Sequence, residues 1–283
     1  MMALAEQISR LKSSEEGHPE AGWYLYAFLR DRDLPPMTGI DGGSPVVLIA
    51  EGEIAAAVSQ VRLAEFGEQT LRHNLEDMEW LEEKVRLHEA IVEAALAKGP
   101  LLPMKFGTIF LDPETVRAVI RRNAQRIREA LEFLGDKVEW GVKAFSSPAA
   151  LRAAVLGNDA ALLALSSEAS TKSPGQAFFV KRKIEESALA KSLEREEVLT
   201  REFLEAIQKT IVDLAAHPPL LSEAPQGERI VINLACLVRR EGVEAFLAGV
   251  EQWNRGHAEE GLRVVASGPW PPYHFVPRLD DDG

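Results

Sequence analysis

Apolar residues return along this chain in two rhythms, and the switches between them mark its elements. Residues 23–29 form an almost unbroken apolar and aromatic run that predicts a strand, followed by the loop signals Pro35-Pro36 and Asp41-Gly42-Gly43. Two apolar runs, 46–50 and 54–58, flank Glu51-Gly52-Glu53, the spacing of a β-hairpin. Between about 73 and 98, Leu75, Met78, Leu81, Val85, His88, Val92 and Leu96 recur every three or four positions, which predicts one amphipathic helix ended by Gly99-Pro100. A strand over 101–110 follows. Asp112-Pro113 then opens a helix with a capping carboxylate and a proline at the first helical position, running to Leu134 and stopping at Gly135.

The second half repeats the alternation with a longer helical insert. Residues 137–145 predict a strand, and Ser147-Pro148 starts a helix to about 166. Ser173-Pro174 starts another, whose pattern continues through Ile184, Leu189, Leu193, Val198, Phe203, Ile207, Ile211 and Leu214 to Pro218-Pro219. A helix over about 175–215 holds roughly forty residues and extends about 60 Å, too long for a small sheet to cover, so it is expected to protrude as an antiparallel hairpin with the preceding helix. A strand at 228–239, a helix at 241–256 and a strand at 262–267 close the pattern.

At 283 residues the chain exceeds the usual size of a single core. The element order predicts an α+β protein of two domains, each a small, mostly antiparallel sheet with packed helices, the second ferredoxin-like with a long helical hairpin insertion. The expected divisions are a mobile extension at 1–20, an N-terminal domain at 21–135, a C-terminal domain at 136–267 and an extended tail at 268–283.

Composition narrows the function. A formal net charge of −12 argues against nucleic acid as a partner, because neutralising phosphates needs a basic face. Lys181-Arg182-Lys183 is followed by Glu185 and Glu186 and reads as a solvated helix face. One cysteine, Cys236, excludes an internal disulfide and fits a reducing compartment, with the cytosol expected. Alternation places Cys236 on one face with Ile230, Ile232, Leu234 and Val238, which predicts a core thiol. The most apolar stretch, 148–165, is interrupted by Arg152, Asn158 and Asp159, and Glu6, Arg10 and Lys12 break the apolar run a secretory leader needs, so neither a lipid membrane nor export is expected.

Candidate chemistry is sparse. The six histidines (His18, His73, His88, His217, His257, His274) include no pair at the four-residue spacing of a zinc-binding helix. The loop 39–43 is glycine-rich but lacks the Lys-Ser/Thr ending of a phosphate loop and reads as a turn. His88-Glu89 could move a proton, yet His88 falls on the apolar helix face, where a hydrogen-bonded core histidine is the simpler reading. A site assembled from distant residues would draw on His88, Glu139 and Lys143. For a partner surface, Met104, Phe106 and Phe110 share a face, with Lys105 between, only if Gly107 does not bulge the strand. The prolines around Trp270 and Tyr273 predict a stiff extended segment whose aromatics dock on this chain or on a partner.

The strings Leu102-Pro103-Met104-Lys105-Phe106-Gly107-Thr108-Ile109-Phe110 and Glu139-Trp140-Gly141-Val142-Lys143 carry a resemblance that catalytic chemistry does not. With Tyr24-Leu25-Tyr26, Ile54-Ala55-Ala56-Ala57-Val58-Ser59, Asn74-Leu75-Glu76-Asp77-Met78-Glu79-Trp80-Leu81, His88-Glu89, Gly175-Gln176-Ala177-Phe178-Phe179 and the ending Gly268-Pro269-Trp270-Pro271-Pro272-Tyr273-His274-Phe275-Val276, in this order, the chain resembles the GvpL/GvpF family of gas vesicle proteins over residues 22 to 277. The resemblance implies an accessory or minor structural protein acting in vesicle nucleation or assembly. It implies contact with the small, very hydrophobic major shell protein and other vesicle proteins, and no reaction or cofactor. Met104, Lys105, Phe106, Phe110, Trp270 and Tyr273 are the expected partner-binding residues, and the long helix offers a route to weak self-association.

Overall fold

A computed structural model of the chain describes residues 20–30, 33–218, 224–257 and 259–279. The expectations for residues 1–19 and 280–283 lie outside this set. The chain divides into two compact units, residues 1–137 with 271–283, and residues 138–270.

The first unit is built on an antiparallel sheet. Its elements are β1 (Ala21–Leu29), β2 (Val47–Glu51), β3 (Ile54–Arg62), α1 (Leu63–Phe66), α2 (Glu68–Asn74), α3 (Met78–Leu96), β4 (Leu101–Pro103), β5 (Ile109–Phe110) and α4 (Pro113–Leu134). The strand order is β2-β3-β1-β4, with β5 also pairing with β1. The hairpin closes at Glu51 opposite Ile54, and Gly52 supplies a φ of 61°, which the tight turn requires. Helices α3 and α4 both pack against β1, and Tyr24 to Leu29 are accordingly buried without the alternation of a half-exposed strand.

Two expectations change here. The helix over 73–98 is interrupted: α2 stops at Asn74, and Asp77 restarts the helix by accepting the Glu79 and Trp80 N–H groups at 3.0 and 3.2 Å. The repeat of apolar positions runs on across that break. The strand over 101–110 becomes β4 and β5, because Gly107 at φ 81° turns the backbone and the Thr108 N–H donates to the Lys105 carbonyl at 3.2 Å. Met104, Phe106 and Phe110 therefore do not share one strand face.

The second unit holds β6 (Lys137–Ser146), α5 (Pro148–Asn158), α6 (Ala160–Ser170), α7 (Pro174–Ile207), β7 (Asp213–Ala216), β8 (Arg229–Arg239), α8 (Val243–Gly256) and β9 (Leu262–Trp270). Its second antiparallel sheet has the order β7-β8-β6-β9. Val138, Trp140, Val142 and Ala144 from β6 meet Leu199, Phe203 and Ile207 from α7 and Phe246, Val250 and Trp253 from α8 in one core. Helices α5 and α6 both pack along α7.

Three further expectations are corrected. The helix over 148–166 is broken at Asp159, whose carboxylate caps α6 by accepting the Leu162 N–H at 3.0 Å, and the pair is bent by 75°. Among the described residues no single helix is long and apolar enough to cross a membrane, although this bent pair passes by length and composition. The helix over 175–215 ends at Ile207, so its 34 residues extend about 51 Å, and Leu214 lies instead in β7, paired with Cys236 of β8. The tail over 268–283 begins three residues later than expected, since Gly268 to Trp270 belong to β9. That strand lies at the sheet edge with a register irregularity between Glu139 and Gly141, positions where a proline is tolerated.

Candidate partner-binding site

His88 is where the expected site residues of the first unit converge. On α3, Lys84, His88, Ile91, Val92 and Ala95 form the buried face, and His88 is 1% exposed. Its Nδ1 lies 3.0 Å from the Tyr24 hydroxyl and its Nε2 lies 3.0 Å from the Tyr273 hydroxyl. The Tyr24 oxygen accepts the Gly107 N–H at 2.9 Å, so its own proton points to Nδ1. This network assigns the imidazole proton to Nε2, facing Tyr273, whose hydroxyl is also hydrogen-bonded to Glu89. One consistent direction of donation runs from backbone to tyrosine, histidine, tyrosine and carboxylate.

The electrostatics suit a pin rather than a catalyst. Burial holds His88 down at about 4, against an opposing backbone hydrogen bond to Met104, so the ring is neutral at pH 7. Burial pushes the Tyr24 and Tyr273 hydroxyls well above the ordinary phenol value. Burial also raises Glu89, with the Tyr273 hydrogen bond working against it and Glu93 adding to it. The hydroxyls in this chain of hydrogen bonds are the phenols of Tyr24 and Tyr273, which burial keeps protonated.

Around it stands an aromatic cluster. The Phe106 ring lies 5.8 Å from His88, 6.1 Å from Tyr24 and 6.4 Å from Trp80 between centroids, and is half-buried. The Met104 N–H donates to the Tyr26 carbonyl at 2.8 Å, Lys105 is exposed at the turn, and Phe110 pairs with Trp23 in β5. Phe106 and Tyr273 thus meet at one histidine. Lys105 and Phe110 stand along the same sheet edge away from it, and Trp270 lies in the second unit, 44% exposed at the end of β9. Glu89 was weighed in the sequence only as half of a His88-Glu89 dyad, and no local pattern brings Tyr24 to His88.

The remaining candidates are distributed over both units. His88 belongs to the first unit, while Glu139 and Lys143 lie four residues apart in β6 of the second, about 13 Å along the strand. Cys236 is fully buried, and its thiol is pushed up to about 12 by burial and by Glu139. Among the described residues no three His, Cys, Asp or Glu side chains are grouped to hold a metal ion. The second unit carries an open groove of about 510 Å³ between α7 and β8, floored by Leu204, Ile230 and Val231 and rimmed by Glu196, Arg201 and Arg229.

Comparison with known proteins supplies what the chemistry does not. The family model described as gas vesicle synthesis protein GvpL/GvpF matches residues 22–277. The chain belongs to the GvpL/GvpF family. It is 30% identical over 264 residues to gas vesicle protein L of Streptomyces sp. (strain CB03234), covering 92% of this chain and 94% of that protein. Gas vesicle protein F of the same strain is also 30% identical, over 257 residues, covering 89% of this chain and 98% of that one. Equal identity to both leaves the L and F branches unseparated for this GvpL/GvpF protein. The fold is similar to the crystal structure of GvpF from Anabaena sp. PCC7120, with a TM-score of 0.64 at 20% identity, covering 92% of this chain and 98% of that one. GvpF from Microcystis aeruginosa gives a TM-score of 0.59 at 20% identity, covering 91% and 99%. As a family member this protein takes part in gas vesicle formation.

Proposed function

We propose that this GvpL/GvpF protein acts in vesicle assembly or nucleation by binding the hydrophobic major shell protein at the outer edge of its first sheet and limiting that protein's aggregation. The observation that carries this reading is the segment Leu101 to Phe110. It forms the outer side of β1 in two short pieces, and no strand lies beyond it among the described residues. A sheet edge offers unpaired backbone groups to an incoming chain, and its short, broken form discourages indiscriminate pairing. Met104, Phe106 and Phe110, all half-buried, add apolar surface beside it. The net charge of −12 keeps a loaded complex dispersed. We read the second unit as ferredoxin-like with a helical insert, which its strand order supports.

The test dilutes unfolded shell protein into buffer with and without this chain and follows light scattering, with co-purification as the binding readout. The wild-type chain suppresses scattering, and Met104→Ser with Phe110→Lys weakens both effects. A chain that neither binds the shell protein nor changes its aggregation overturns the proposal.

A further inference from the structure

Helix α7 exposes more large apolar side chains than any other described element: Phe178 at 64%, Phe179 at 71%, and Leu189 and Leu193 at 46% each. At about 100° per residue these four occupy roughly a third of the helix circumference. The stripe borders the face where Ala188 and Ser192 are buried and which α5 and α6 cover. The helix is therefore apolar over two adjacent faces, of which only one is used within the chain.

The polar residues along the stripe are arranged to suit a copy of itself. Arg182 stands fifteen residues before Glu197, about 22 Å along the helix, and the midpoint falls between Leu189 and Ala190. Reversing the helix about that midpoint sets Arg182 opposite Glu197. The same reversal brings Phe178 and Phe179 opposite Arg201 and Thr200, and there the open groove of about 510 Å³ lies, floored by Leu204, Ile230 and Val231. A projecting aromatic pair at one end and an apolar-floored groove at the other, equidistant from that midpoint, are the two halves of an isologous contact.

We propose that α7 is a self-association surface on which a second copy of this chain docks antiparallel about the midpoint between Leu189 and Ala190. Each copy seats Phe178 and Phe179 in the other's groove, and Arg182 faces Glu197 of the partner, while Glu196 stays paired with Arg229 of its own chain at 2.5 Å. The interface is one helix face and a groove, so the dimer is weak and depends on protein concentration.

Sedimentation velocity on the full chain across a wide concentration range tests this. The mass rises from one chain toward two as concentration increases, and Leu189→Glu holds it at one. Arg182→Glu and Glu197→Arg are both exposed changes, and each alone weakens association about tenfold by opposing like charges twice across the two-fold axis. Mixing these two variants in equal amounts restores the dimer, because every opposed pair is again of opposite sign. Circular dichroism of each variant checks that α7 is intact. A single-chain mass at every concentration, including one in which the stripe takes up only the shell protein, overturns the proposal. So does a dimer insensitive to both charge reversals, or a mixture no tighter than its components.

Discussion

Lowering the pH from neutral to about 4 should unfold the region around α3 selectively, and His88 sets the size of the effect. In an unfolded chain its imidazole takes a proton near 6.5, whereas burial between Tyr24 and Tyr273 holds it down at about 4. As pH falls through that window the unfolded state binds the proton and the folded state does not, so stability declines and then levels off below about 4. A gap of about 2.5 pH units corresponds to about 3 kcal/mol. Glu89 works in the opposite sense. Its folded carboxyl is raised, so the native state takes its proton first and regains some stability as pH falls through the raised value toward 4.5. The contribution of His88 is therefore read as the difference between the wild-type chain and His88→Gln, measured at the same pH values. Amide hydrogen exchange on peptides from α3 is the suitable assay, because the second unit carries Trp140, Trp253 and Trp270 and would mix its own signal into fluorescence. Protection in wild type should fall between about 6.5 and 4 and should be flatter in the variant. Identical pH profiles for the two proteins refute the reasoning.

Other consequences are more local. Tyr273→Phe removes the acceptor of the His88 Nε2 proton and should cost about 1–2 kcal/mol by chemical denaturation, while Tyr24→Phe, which strands both the Gly107 N–H and His88 Nδ1, should cost more. Phe203→Ala empties the centre of the second unit's core and should cost about 3–5 kcal/mol, read as a lower unfolding midpoint. Cys236, with its thiol pushed up to about 12, should resist iodoacetamide at pH 8 in the native chain and react after unfolding.

Much of the fold was legible where the signal is local. Asp112-Pro113 and Ser147-Pro148 mark true helix starts, with Asp112 accepting the Thr115 N–H at 2.8 Å, and Glu51-Gly52-Glu53 marks a true hairpin. What failed depended on contacts distant in sequence. Ile211 and Leu214 continue the helical spacing of Phe203 and Ile207, and nothing nearby reveals that Leu214 pairs with Cys236. His88 was readable as a hydrogen-bonded core histidine from its helix face alone, but its partners are 64 and 185 residues away. The helical stripe of α7 was visible as periodicity, whereas which of its faces α5 and α6 leave bare is a property of packing.

Tyr273 also gives the end of the chain a structural duty. The chain leaves the first unit after Lys137 and returns to it at Pro271, so the second unit is an insertion in sequence rather than a following domain. Its two ends are neighbours, because Glu139 pairs with Trp270 across β6 and β9, and an insertion whose ends lie together imposes little strain on its host. The returning segment is held to α3 by the Tyr273 to His88 hydrogen bond and by a stacked contact at 6.3 Å between ring centroids. A chain ending at Trp270 keeps every strand of the second sheet yet strips the first unit of that cover. Hydrogen exchange should therefore speed up across α3 while β6, β8 and α8 stay protected. If the truncation instead loosened the second unit and spared α3, the last residues would be serving the sheet they leave, not the helix to which they return.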